Sequence, residues 1–304
     1  MSAQNTRVLA YGPEAIAEAA RLIAAGRPVA MPTETVYGLA ADATDGEAVA
    51  RIYEAKGRPA FNPLIVHVSD LRQAAEIALL DDSAAALAER HWPGPLTLVL
   101  PLRAGAPIAA LVTAGLETIA VRAPAHPAMR DLLAAAGRPL AAPSANASGR
   151  ISPTRAAHVL ASLGGRIPLI VDGGPTEHGL ESTIVALTGG APRLLRPGPI
   201  DLGLAMAGDG AIEAPGQLRS HYAPLKPLRL GATAAMADEW LIGFGAVAGD
   251  SSLSASGDLV EAAARLFERL HEAERSAPAR IAVAPIPAAG LGAAINDRLR
   301  RAAA

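Results

Sequence analysis

The sequence predicts an α/β fold carried by a mixed β-sheet, followed by a smaller α/β unit. Three observations carry that reading. Strand-like runs alternate with helix-period segments over the first 200 residues. Several neighbouring strands have no helix between them to make a parallel crossover. A seam rich in proline and glycine lies between Gly198 and Leu228. At 304 residues the chain also slightly exceeds the size at which a single core stops growing, roughly 250 to 300 residues, so one seam is expected.

The elements follow in order. A first helix starts at Pro13, suited to a first turn, and runs through Ile16, Ala19, Ala20 and Ile23 to a stop at Gly26. Strands are expected over 28–31, 64–68, 97–102, 118–121, 140–142, 169–171, 183–187 and 193–195, where short apolar or β-branched runs end in turn residues. Helices are expected between them over 47–55, 74–80, 84–90, 127–136 and 155–163. Periodicity then fades, and Pro199, Gly208, Gly210, Pro215, Gly216, Pro224 and Pro227 punctuate the chain. Beyond the seam come a strand at 228–230, an apolar run at 240–247, a long helix over 258–274 capped by Asp258, a strand at 281–284 and a last helix from Leu291. The expected division is 1–200, a linker over 201–227, and a small βαβ-type C-terminal unit over 228–304 that leans on the first.

Composition narrows the chemistry. Cysteine is absent, which removes disulfide frameworks, thiolate zinc sites, iron–sulfur clusters and cysteine nucleophiles. The 27 basic and 29 acidic residues leave a net charge of -2, and aromatics are 3% of the chain, so broad nucleic-acid binding by charge or stacking is disfavoured. No stretch reaches the roughly 18 to 20 apolar residues of a membrane span, and a cytoplasmic protein is expected. The seven histidines include no HxxxH pair, so a zinc site is not expected. Neither GxxxxGK[ST] nor a GxGxxG opening a helix occurs, so a bound nucleotide lacks both standard phosphate cradles.

Polar segments instead sit at strand ends, where open α/β sheets bind ligands. Pro32-Thr33-Glu34-Thr35-Val36-Tyr37-Gly38-Leu39 offers hydroxyls and backbone to a small polar ligand, or forms an ordinary strand–turn–strand. Lys56 and Arg58, in a loop stiffened by Pro59 and Pro63, suit a polyphosphate; simple complementarity to a helix end is the alternative. His67 lies in the apolar strand that follows, and Arg122 ends the run Thr118-Ile119-Ala120-Val121. Pro143-Ser144-Ala145-Asn146 to Ser152 leads from a strand toward a helix with small and hydroxyl residues that let a ligand approach backbone. Asp172-Gly173-Gly174-Pro175, Glu181-Ser182-Thr183 and Arg196-Pro197-Gly198 complete the set. No Ser/His/Asp or metal-ligand pattern organises these segments, which read as binding and charge neutralisation without a protein nucleophile.

Taken together, Pro-Thr-Glu-Thr-Val-Tyr-Gly-Leu at 32–39, Lys-Gly-Arg-Pro with Asn-Pro-Leu at 56–64, Trp-Pro-Gly-Pro-Leu-Thr at 92–97, Val-Arg-Ala-Pro at 121–124, Pro-Ser-Ala-Asn at 143–146, Glu-Ser-Thr-Ile-Val at 181–185 and Leu-Arg-Pro-Gly at 195–198 closely resemble the YrdC-like threonylcarbamoyl-AMP synthases. Ser220-His221-Tyr222-Ala223-Pro224, followed by an extra α/β unit, resembles the long, two-domain form. The resemblance implies an open twisted mixed sheet with a large concave basic cavity, plus a small C-terminal Rossmann-like α/β domain. It implies formation of L-threonylcarbamoyl-AMP and pyrophosphate from L-threonine, bicarbonate and ATP with Mg²⁺, for threonylcarbamoyladenosine next to the tRNA anticodon. A separate transferase complex would then act on tRNA.

Carried over by motif, Thr35, His67, Arg122, Ala142 and Ser182 would hold threonine. Arg58, Asn62, Thr118, Ser144, Ser152 and Arg196 would hold ATP, Lys56 and Arg58 would neutralise charge, and Tyr222 would close as a lid positioned by the C-terminal unit. Mg²⁺ would be carried mainly by ATP. Two rivals share the domain. A carbamoyl-adenylate-forming enzyme of hydrogenase maturation carries a zinc finger that a cysteine-free chain cannot build. A double-stranded RNA-binding regulator with a vestigial site is the remaining alternative, for which salt-dependent RNA affinity without ATP turnover would speak.

Overall fold

A computed structural model describes residues 5–208 and 212–304; Gly210 of the seam lies outside them. In chain order the first lobe comprises β1 (Arg7–Ala10), α1 (Pro13–Ala24), β2 (Val29–Met31), β3 (Gly38–Asp42), α2 (Gly46–Lys56), β4 (Ile65–His67), α3 (Leu71–Ile77), α4 (Asp82–His91) and β5 (Leu96–Pro101). It continues with α5 (Ala110–Thr113), β6 (Thr118–Arg122), α6 (Pro127–Ala136), β7 (Leu140–Ala141), α7 (Ala156–Leu163), β8 (Leu169–Asp172), β9 (Thr183–Ala186) and β10 (Arg193–Arg196). The second lobe holds β11 (Leu228–Leu230), β12 (Glu239–Gly243), β13 (Ser251–Ser252), α8 (Leu259–Arg275), β14 (Arg280–Val283) and α9 (Leu291–Ala302).

Helix ends follow their capping chemistry. Asp45 accepts from Glu47 N at 2.9 Å to start α2, and Gly57 ends that helix at φ 60°, turning the chain immediately after Lys56. Asp258 caps α8 through Val260 N at 2.7 Å, as expected. Asp70 caps α3, which therefore begins before the expected 74–80. Chain reversal into the pairing of Ala78 with Leu102 ends it early.

Ten strands form an open sheet in the order β1-β8-β2-β3-β7-β4-β6-β5-β9-β10. It is mixed: β4 runs parallel to β6 and β5 to β9, whereas β3 with β7, β4 with β7 and β5 with β6 are antiparallel. The period-2 alternation divides its two faces. Val29, Met31, Leu169 and Val171 pack under α1 and α6, while Ala30 and Ile170 turn to the core beneath α2 and α7. Toward the other edge, Ile65, Val99, Ala120, Ile184 and Leu195 face Ala214 of the linker. A cavity opens on that side between the sheet and the linker, with Ile65, Pro215 and Gly216 in its wall.

The second lobe has its own four-stranded parallel sheet, β11-β14-β12-β13, backed by α8 and α9. Its apolar cluster takes in Val36, Ile151 and Leu180 of the first lobe and Tyr222 of the linker. The lobe thus rests on loops that leave the ends of the main sheet. Sequence patterning missed β1, β3, α5 and β13. β1 is a largely exposed edge strand, β3 is the uniformly buried Gly-Leu-Ala-Ala-Asp with no alternation to read, and α5 and β13 are too short to show a period.

Candidate active site

The loop after β2 is shaped by one hydroxyl. Thr33 Oγ1 donates to Val36 O at 2.5 Å and accepts from Val36 N at 3.2 Å, closing a tight turn that presents Glu34 and Thr35. Arg122, at the carboxyl end of β6, meets both. Its Nη2 lies 2.6 Å from Glu34 Oε1, Nη1 donates to Thr35 Oγ1 at 2.9 Å, and Nε to Gly94 O at 3.1 Å. Burial by itself would raise the Glu34 carboxyl, but the Arg122 charge and hydrogen bond hold it down at about 2. Register sets His67 of β4 beside Arg122. Burial, aided by Arg122, keeps its imidazole neutral with a pKa of about 3, and its Nδ1 has no partner.

The end of α2 and the loop after it carry two buried cations. Arg58 spends Nε and Nη2 on the carbonyls of Asn62 and Pro63 at 3.1 and 2.9 Å, fixing the loop that the flanking prolines stiffen. Lys56 donates to Ser144 O and Asn146 O, each at 2.5 Å, so its ammonium staples the segment after β7. Burial depresses both groups, Arg58 to about 10, and Arg58 further depresses Lys56. Both amide atoms of Asn62 are buried and unpartnered.

From the other side, Arg196 at the end of β10 donates to Ser182 O at 3.0 Å, to Ser182 Oγ at 3.1 Å and to Pro215 O of the linker at 3.4 Å. Ser182 Oγ is also 2.7 Å from Thr97 Oγ1. Ser152 donates to Glu181 Oε1 at 2.5 Å, and Glu181 Oε2 is 2.7 Å from Arg298 Nε of α9. His271 of α8 lies 3.1 Å from Ser152 O. Thus the hydroxyl and the carbonyl of Ser152 are both fixed through the C-terminal lobe.

These groups surround a small cavity of about 50 Å³. Of the residues expected from the sequence, Thr35, Arg58, His67, Arg122, Ala142, Ser144, Ser182, Arg196 and Tyr222 line it. Lys56, Asn62, Thr118 and Ser152 do not. Lys56 lies behind the wall because two carbonyls hold its ammonium there. Thr118 opens β6, four residues before Arg122, which places it about 13 Å away along the strand. The linker enters the cavity: Pro215, Gly216, His221 and Tyr222 are among its walls, and Tyr222 is 1% exposed. Patterning missed Glu181 and His221 as cavity residues, and Glu34 and Arg298 behind them. The carboxylates stood inside motifs already singled out, whereas nothing near Arg298 in the sequence points to a site more than 100 residues away.

Residues 21–198 match the family model described as "Telomere recombination", which groups Sua5, YciO and YrdC. Residues 199–304 match the model of the threonylcarbamoyl-AMP synthase C-terminal domain. A threonylcarbamoyl-AMP synthase of Pyrococcus abyssi is 42% identical over 316 residues, covering 93% of this chain and 92% of that protein. One of Bacillus subtilis is 48% identical over 230 residues, covering 71% of this chain and 66% of that protein. The crystal structure of P. abyssi Sua5 complexed with L-threonine matches with a TM-score of 0.90 at 37% identity, over 98% of each chain.

Proposed function

We propose a reaction from one premise: the chain belongs to the Sua5–YciO–YrdC family, in the form that carries the threonylcarbamoyl-AMP synthase C-terminal domain. It is an enzyme of the threonylcarbamoyl-AMP synthase type, with L-threonine and ATP as substrates. Bicarbonate supplies the carbon. The threonine amine attacks a CO2 equivalent, water leaves, and the resulting carbamate oxygen attacks the α-phosphorus of ATP, breaking the bond to pyrophosphate. Both steps ask for positioning and charge neutralisation, not for a protein nucleophile.

One observation carries the assignment of the ATP side. Lys56, Arg58 and Arg196 are buried, and among the described residues none has a carboxylate partner. Three uncompensated buried cations cost several kcal/mol unless an anion joins them, and a triphosphate is such an anion. Arg58 and Arg196 approach from opposite sides and would touch the phosphates, while Lys56 contributes charge from behind and holds the Ser144 segment. Ser144, in the cavity wall, would supply a hydroxyl; Asn62, whose buried amide has no partner, and Ser152, which donates to Glu181, would bear on the nucleotide from behind that wall, and Thr118 would mark the distal end. Glu34 and Glu181 are engaged by Arg122 and Arg298, so Mg²⁺ would arrive as part of the substrate MgATP.

Threonine would lie at the β4–β6 end. Arg122 has already neutralised Glu34, so it would offer the threonine carboxylate its remaining N–H groups and not a free charge. Neutral His67 and the Thr35 and Ser182 hydroxyls would receive the amine and side-chain hydroxyl beside Ala142. Tyr222 would close over the nucleotide as a lid, excluding water that would destroy the carbamate. Residues 1–200 would form the catalytic domain, 201–227 the lid-bearing linker and 228–304 the C-terminal domain. The product would pass in the cytoplasm to a transferase that modifies tRNA. The test is ¹³C-bicarbonate with ATP and threonine: label in a threonylcarbamoyl-adenylate seen by mass spectrometry supports the reaction, and unlabelled or absent product overturns it.

A further inference from the structure

Among the described residues Arg298 is the largest fully buried side chain, and it comes from the C-terminal lobe. Its Nη1 lies 2.8 Å from Asp297 Oδ2 on its own helix, its Nε 2.7 Å from Glu181 Oε2, and its guanidinium carbon 5.3 Å from the centre of the Tyr222 ring. Glu181 carries the contact onward to Ser152. One turn later Arg301 donates from Nη1 to Gln217 O and Leu218 O at 3.1 and 2.8 Å, and its own carbonyl accepts from His221 N at 3.1 Å. Three hydrogen bonds from α9 therefore fix the linker just ahead of Tyr222.

Tyr222 needs that support. It sits at φ 62°, a left-handed conformation that disfavours a bulky side chain and persists only where surroundings over-determine it. Its ring is held by Arg298, by Phe267 at 5.6 Å and by His221 edge-on at 4.1 Å, yet its hydroxyl and Arg298 Nη2 are both buried without a partner. The seat is shaped and held, but its polar groups are not all satisfied.

We propose that Arg298 is a positioning residue for the nucleotide half of the reaction: it sets Ser152 through Glu181 and seats the Tyr222 lid, so closure over ATP depends on the C-terminal lobe. This rests on the reaction proposed above. The guanidinium serves both contacts at once, with Glu181 and Asp297 balancing its charge and one face turned to the Tyr222 ring. Removing it strands Glu181 and unseats the lid together. The threonine end, organised by Arg122 and Glu34 in the first lobe, is untouched.

The test is Arg298→Met, read by pyrophosphate release and by trypsin cleavage after Arg219, an exposed linker residue. The expected result is a KM for ATP raised about tenfold or more while KM for threonine moves less than about threefold, with faster cleavage at Arg219 at an unchanged far-UV spectrum. Added to Tyr222→Ala, Arg298→Met should raise KM for ATP by a smaller factor than it does alone, because the share it exerts through the lid is already lost. Glu181→Gln, which keeps shape but removes the charge, is the second variant and should show the same KM split should Arg298→Met fail to fold. Equal rises in both KM values, or effects that multiply in the double variant, overturn the proposal. Absence of threonine-dependent pyrophosphate release in the unaltered protein overturns the reaction instead, and the cleavage readout needs no turnover.

Discussion

Replacing Arg122 by methionine strands a carboxylate that the fold has buried. The side chains of Arg122 and Glu34 are 4% and 5% exposed and meet at 2.6 Å. Holding Glu34 at about 2 against an ordinary value of 4.5 corresponds to about 3 kcal/mol at neutral pH, close to the roughly 3 to 5 kcal/mol that removal of one partner from a buried pair costs. Because the folded-state value is depressed, this contribution is complete above about pH 4.5 and disappears as pH falls through about 2. Urea unfolding of both proteins at pH 7 should show a loss of about 3 to 5 kcal/mol in the variant. The gap should narrow by pH 4, where burial has protonated the stranded Glu34, and Arg122→Met/Glu34→Gln should recover more than half of it at pH 7. A loss below about 1 kcal/mol, a gap indifferent to pH, or a double variant weaker than the single would refute the reasoning.

Arg58→Ala should lower kcat/KM for ATP by the equivalent of about 2 to 5 kcal/mol, as should Arg196→Ala; unchanged ATP kinetics in both would remove the phosphate contacts. Burial keeps His67, His158 and His271 neutral in the fold, at about 3, 3 and 4, with His158 and His271 stacked 3.9 Å apart between the lobes. Stability should hold above about pH 6.5 and fall toward pH 4 by about 1.4 kcal/mol per unit for each histidine; a flat urea midpoint over that window would contradict it. At Gly179, φ is 64° and an added Cβ would lie 2.3 Å from Ala264 O of α8, so Gly179→Ala should wedge the lobes and cost about 1 to 3 kcal/mol. A melting temperature equal to the unaltered protein's would argue against so close an approach. Serine should replace threonine with a penalty of about 1 to 3 kcal/mol in kcat/KM, and a far larger penalty would mean that the pocket reads more than the methyl.

Much of the fold was legible because its punctuation is local. Pro13, Gly57, Asp258 and the proline-rich seam each act within a turn of themselves. β3 escaped because strands buried on both faces carry no alternation. The site divides in the same way. Motifs at strand ends brought His67, Arg122 and Arg196 to one cavity, since sheet register fixes where a strand's last residue points, and Arg58 after α2 and Ser182 before β9 join them there. What the motifs could not convey is how charges are spent: Lys56 is turned to two carbonyls, and Arg122 is already paired with Glu34. Arg298 depends on docking of the second lobe, a long-range event with no local pattern.

The most direct measurement is pyrophosphate release from MgATP by the purified protein, with threonine and bicarbonate each omitted in turn. The account predicts release that requires both. Release that persists without threonine, or none with all three present, would contradict it.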